Sequence, residues 1–154
     1  MPVTFEDNGQ KIQAAMVNDE PVMLNHMTVD GVTVSQYKEF YTNFAENMSK
    51  LLPDNASFTK LEPEVYPMCW QRLVPKIPLV SPRSCIASLY LVDNGDSGFE
   101  FMISTKGNDH IVDKMKDKFG DDVLNVIHFN YLKFERNFDA CDEEIGTTIV
   151  QAAS

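Results

Sequence analysis

The side chains able to do chemistry are few and scattered. His26, His110, His128, Cys69, Cys85 and Cys141 are the softest candidate metal ligands, and no two of them share a metal-binding spacing. Asn108-Asp109-His110 is a local polar cluster, but the same triplet makes an ordinary helix N-terminus. A nucleophile needs a base and an orienting group beside it. Cys85, two residues after Arg83, has a neighbour that would lower a thiol pKa. It also stands in a run with Ile86, Leu89 and Leu91, where cysteine behaves as a small core residue, and that reading is preferred. No GxSxG, HExxH, GxGxxG or phosphate-loop pattern occurs, and Gly95, Gly98 and Gly107 read as turn glycines. Paired carboxylates prove little in a chain with 23 acids, so Glu143-Glu144 and Asp121-Asp122 read as solvated loops. No catalytic residue, metal or cofactor is expected, and an enzyme is the less favoured reading.

The segment richest in constraint is Trp70 to Leu91. A strand ends, Pro75, Pro78 and Pro82 impose an extended, kinked connection, and an apolar strand follows. Within it Arg83 is a permanent cation beside apolar sequence, and a buried guanidinium needs an acid or a phosphate. Either one of the chain's many carboxylates pairs with it, or it faces a ligand.

The elements that must position these residues follow from periodicity. Residues 1–30 read as extended, with Asp7-Asn8-Gly9 as a turn and Asp30-Gly31 as a break. Val34, Tyr37, Tyr41, Phe44, Met48 and Leu51 alternate at spacings of three and four, which draws one apolar stripe along a helix. Thr33 or Ser35 can cap its start, and Pro53 ends it. The stripe fits packing on the chain's own sheet better than a coiled coil. From residue 57 the pattern is a β-meander, with strands expected at 57–62, 64–74, 84–93, 98–105, 123–136 and 144–153. Asn94-Gly95 is the strongest hairpin signal. A short amphipathic helix over 108–119, closed by Gly120, interrupts the meander. This is an α+β pattern: an antiparallel sheet, long enough to curl, packed on one side by helix.

Bulk properties narrow the partners. The formal charge of −10 argues against nucleic acid, whose phosphates require a basic surface. The first residues lack the basic and apolar regions of a secretory signal, and no apolar stretch is long enough to span a bilayer, so stable membrane insertion is not expected. Three cysteines without CxxC spacing do not make a disulfide framework, and the cytoplasm is the default compartment.

The elbow resembles that of START-type lipid-transfer domains, within the Bet v 1-like helix-grip group. There an aromatic-bearing strand leads into a Pro-containing turn, a serine, an arginine and a hydrophobic strand. Trp70, Pro75, Ile77-Pro78-Leu79, Ser81 and Arg83 occupy those places here. Val123–Phe129 and Ile145–Gln151 resemble the family's last two strands, so the likeness covers about residues 57–154. Two departures stand out. Ser84 replaces an acid usual after the arginine, and no long helix follows the last strand before Ser154. A lid would then come from the 34–51 helix or another subunit, which allows a homodimer, or the pocket stays open.

The resemblance implies a single domain, residues 1–154, whose curved antiparallel sheet grips a helix around an apolar cavity. The ligand would be a lipid or other apolar small molecule. Strand alternation puts Tyr66, Met68, Trp70 and Arg72 on one face of their strand, and Phe99, Phe101 and Ile103 on one face of theirs. The expected ligand-binding set is Arg83, Trp70, Tyr66, Met68, Tyr90, Phe101, Ile103 and His128, with Arg83, His128 or Tyr90 orienting a polar head. The rival readings are an enzyme on the same scaffold and a protein-interaction module using an exposed apolar sheet face.

Overall fold

The computed structural model describes residues 3–7, 10–51 and 54–154. Three strands come first: β1 (Val3–Asp7), β2 (Gln10–Val17) and β3 (Glu20–Asp30). They pair antiparallel in sequence order. Between β2 and β3, Val17 pairs with Glu20 across Asn18 and Asp19, whose φ values are +50° and +64°. Two successive positive φ values define the tight turn whose twist matches a hairpin, and Asn and Asp tolerate it best after Gly. Asn8 and Gly9 of the expected first turn lie outside the described residues, as does Pro53.

The apolar stripe forms two helices instead of one, α1 (Val34–Thr42) and α2 (Phe44–Leu51). The Thr42 hydroxyl donates back to the Lys38 carbonyl at 2.7 Å just before the interruption. The start of α1 is a reciprocal capping box. The Thr33 hydroxyl accepts from the Gln36 amide at 3.2 Å, and the Gln36 side chain accepts from the Thr33 amide at 2.8 Å. Glu144 adds its carboxylate as acceptor for the Val34 amide at 3.0 Å, a charge suited to a helix N-terminus.

The meander follows as β4 (Ala56–Leu61), β5 (Met68–Leu73), β6 (Arg83–Asp93) and β7 (Gly98–Ser104). Helices α3 (Asp109–Lys114) and α4 (Lys116–Phe119) come next, then β8 (Val123–Leu124), β9 (Asn130–Phe138) and β10 (Glu144–Ala153). Nine strands follow one hydrogen-bonded path, β1-β2-β3-β10-β9-β7-β6-β5-β4, and β8 pairs parallel with β6 off that path. The result is an α+β fold with a large antiparallel sheet.

Three expectations change. β5 begins at Met68, not Glu64, because Pro67 has no amide to give to a ladder; its carbonyl accepts from Leu89 at 2.8 Å instead. The long strand expected over 123–136 splits at residues 125–129, where Asn125 bonds Ser84 and Ile127 bonds Thr105. Asn94-Gly95 is not a two-residue turn. Gly95–Ser97 make a 3₁₀ turn, and the Asn94 amide reaches the Gly98 carbonyl at 2.9 Å.

The chain forms two compact units from interleaved segments. The first comprises residues up to Thr42 with Leu91–Met102 and Phe129–Ser154; the second comprises Asn43–Tyr90 and Ile103–His128. The core of the first is aromatic. Phe99 and Phe134 stack with centroids 4.4 Å apart, and Tyr41 of α1 lies 4.7 Å from Phe101 and 5.1 Å from Phe134. Each such ring, fully buried, contributes about 1.5–3 kcal/mol. In the second, Met68, Ile86 and Phe119 are packed by Leu61, Trp70, Ile111, Val112 and Met115, which places α3 and α4 on one face of β5 and β6. Cys69, Cys85 and Ala87 are buried on the opposite face. Among the described residues no helix is long and apolar enough to cross a membrane.

Close backbone approach makes Gly98 critical. A Cβ there would stand 1.8 Å from the Phe134 carbonyl oxygen, and its φ is +148°. Gly98→Ala should destabilise the protein by on the order of 3 kcal/mol in urea unfolding. Gly107→Ala, at φ +80° with nothing within 4 Å, should cost about 1 kcal/mol.

Candidate functional site

In the first unit, β3 alternates cleanly. Asn25, Met27 and Val29 are half-buried, while His26, Thr28 and Asp30 are exposed. Cross-strand register carries that division along the sheet. Asn25 pairs with Ile12 and Gln151, Met27 with Ile149, and Ile149 with Phe134. One face of β2, β3, β10 and β9 therefore holds Ile12, Met27, Val29, Ile149, Leu132 and Phe134. Lys11, His26, Asp30, Lys133 and Glu135 stand on the other. The inner face grades from buried at Thr147, Ile149 and Phe134 to half-buried at Leu132 and Gln151, and to exposed at Met23 (55%) and Met16 (66%). Two amide bonds cross it: Gln10 Nε2 donates to Asn25 Oδ1 at 3.0 Å, and Gln151 Nε2 to Asn130 Oδ1 at 2.9 Å. Arg136 is the cation on this side, held by Glu144 at 3.4 Å.

In the second unit, a polar network forms around Arg72 and Asp122 and does not include Arg83. Asp122, read from sequence as a solvated loop residue, has a side chain only 4% exposed. Arg72 donates to both its oxygens, from Nε at 2.8 Å and from Nη2 at 3.2 Å. The Ser84 hydroxyl donates to Asp122 Oδ2 at 2.7 Å and accepts from Trp70 Nε1 at 3.0 Å. The Arg72 hydrogen bond holds the Asp122 carboxyl below the usual carboxylate range, against some desolvation and with help from Ser84. Ser84, which displaces the expected acid, is thus the link to a carboxylate delivered from a distant segment. Arg83 is exposed at the start of β6, and among the described residues it makes no ion pair. In the elbow, Leu79 adopts φ +69°, and both it and Ile77 project into solvent.

The other expected site residues fall in several places. Met68 and Trp70 pack beneath α3 and α4, with Trp70 edge-on to Phe119 at 5.4 Å. Tyr66 and Tyr90 lie 4.4 Å apart, and with Met68 they line an open cleft of about 210 Å3 beside His110, which is paired to Glu64 at 2.8 Å. His128 is exposed on a second cleft of about 400 Å3. Phe101 is part of the aromatic cluster under α1, and Ile103 is buried. The structure brings Tyr66, Met68 and Tyr90 together on one cleft. Desolvation pushes the Cys85 thiol up to about 12, with Cys69 adding to the effect, and Cys69 up to about 11. Neither is a ready nucleophile at neutral pH, which agrees with the core reading of Cys85.

No protein-family model matches the sequence, and no curated protein matches it. Solved structures do. Human STARD10 superposes with a TM-score of 0.70 at 12% identity, covering 99% of this chain and 59% of that one. Human StAR-related lipid transfer protein 5 gives 0.65 at 15% identity, covering 99% and 70%. A STAR-related lipid transfer protein from Xanthomonas axonopodis gives 0.64 at 15% identity, covering 99% and 81%. The chain therefore has a START-type fold, and it spans less than two thirds of the STARD10 chain it matches.

The Asp122 network gives a pH signature. Its folded-state pKa is depressed, so its contribution is complete above the unfolded value of about 3.9 and is lost as pH falls through the lower folded value. Asp122→Asn should cost about 2 kcal/mol at pH 7. Urea unfolding below about pH 4 should show the native protein losing stability toward the variant; parallel curves would mean that the pair contributes nothing.

Proposed function

We propose that this chain binds a lipid or another apolar small molecule, and that the ligand lies against the inner face of β2, β3, β10 and β9. The observation that carries this reading is the separation of charge on those strands. Methionine, isoleucine and leucine occupy one face, the ionisable groups other than the Glu144-paired Arg136 occupy the other, and the apolar face is left progressively less covered toward Met23 and Met16. A sheet face of that kind gains about 25 cal/mol for each Å2 of apolar surface that a ligand removes from water. Methionine adapts its shape to varied hydrocarbon, which suits a carrier. The START-type fold supports the same reading, since two of the similar structures are lipid transfer proteins by name.

The residues expected to contact a ligand enter this proposal in different roles. Phe101 and Ile103 are buried, each in the core of its own unit. Tyr66, Met68 and Tyr90 line the smaller cleft, which belongs to the second unit and not to the unit that carries this face. An enzymatic reading would need a titratable group free to act on the inner face, and the cation there, Arg136, is already engaged by Glu144.

Native mass spectrometry after mild purification, or after exposure to a mixed lipid extract, should reveal a bound apolar mass. Met27→Asp places a carboxylate at a half-buried position of the inner face and should lower occupancy about tenfold or more. Equal occupancy in the variant would move the ligand away from this face.

A further inference from the structure

The inner face carries more than hydrocarbon. Gln10, Asn25, Gln151 and Asn130 form a row of side-chain amides across β2, β3, β10 and β9, with Asn25 and Gln151 directly paired in register. We propose that this row receives the head of an uncharged ligand bearing a hydroxyl, carbonyl or amide group; the proposal rests on the binding reading above. In each hydrogen-bonded pair a glutamine spends one N–H and an asparagine spends its oxygen. Among the described residues both glutamine oxygens and both asparagine NH2 groups keep capacity, so the row offers donors and acceptors side by side without formal charge.

Position supports the assignment. All four amides are half-buried. The neighbours along the strands on the deeper side are Met27 and Ile149, and those on the outer side are Met23 and Ala153. An amphiphile would thus meet apolar surface on both sides of a polar band. A phosphate or carboxylate brought to that band would need a cation to offset its lost hydration. Lys11, His26 and Lys133 stand on the opposite face. Arg136 shares the inner side but sits six residues along β9 from Asn130, about 20 Å away at the rise of a strand, and is paired with Glu144.

The test uses two lipids with the same acyl chains, dioleoylglycerol and dioleoylphosphatidate, presented in phosphatidylcholine vesicles to the full chain. Uptake of the diacylglycerol should exceed that of the phosphatidate at least tenfold. Asn25→Leu combined with Gln151→Leu should erase most of that preference. Asn25→Asp, which keeps an acceptor for Gln10 and disturbs packing little, should reduce diacylglycerol uptake about tenfold and serves if the double variant does not fold. Equal or tighter phosphatidate binding overturns the inference and leaves the binding reading standing. So does failure of both lipids while an apolar mass is still seen in native spectra. Failure of both lipids with no such mass removes the binding reading itself.

Discussion

Pairing register decides which face each side chain of a strand presents, and in the first unit the separation of apolar from charged side chains hangs on it. Sliding β3 by one residue against β10 would turn Asn25, Met27 and Val29 outward and bring His26, Thr28 and Asp30 to the inner face. The register is pinned at one end by Gly146, where any Cβ would stand 2.2 Å from the Val29 carbonyl oxygen. A bulge between Glu144 and Gly146 lies at the same place, and it frees Glu144 to serve the start of α1 and to hold Arg136. Helix capping, strand register and the neutrality of the inner face are therefore secured by a few neighbouring residues.

The second unit solves a different problem. Between Val123 and His128 the chain contributes only a two-residue strand, too little to fix a segment by ladder bonds alone. Polar side chains make up the difference. Asp122 anchors the segment's start through Arg72 and Ser84, and Thr105 holds its far end by accepting from and donating to Ile127. A bidentate arginine–carboxylate pair is directional where a hydrophobic contact is not, which makes it suited to placing an irregular segment.

Most of the architecture was legible in the residues because it rests on periodicity. The 144–153 strand, the helix stripe and helical structure before Gly120 are all marked by spacing, although the segment expected as one helix over 108–119 divides at Met115 into α3 and α4. The break in the stripe at Asn43 leaves no mark in the apolar pattern, since Tyr41 and Phe44 keep the helical spacing across it. The start of β5 had a visible signal in Pro67 that apolar alternation outweighed. The site was harder. The Arg72–Asp122 pair joins residues fifty positions apart, and charge spacing in an acidic chain cannot identify such a partner. The amide row is spread over four strands, with each member an ordinary polar residue in its own segment. Only the ladder registers align Gln10, Asn25, Asn130 and Gln151.

That dispersal also explains how a START-type fold persists at 12–15% identity. Alternation, capping and a few close backbone approaches specify the sheet, and many sequences satisfy them. Ligand choice needs only a handful of polar positions on an otherwise apolar surface, because each uncompensated charge or unmatched donor there is costly. Exchanging those few residues alters what can be accommodated without touching the register that holds them. On the proposed reading, the polar band and not the fold sets the chemistry of the guest.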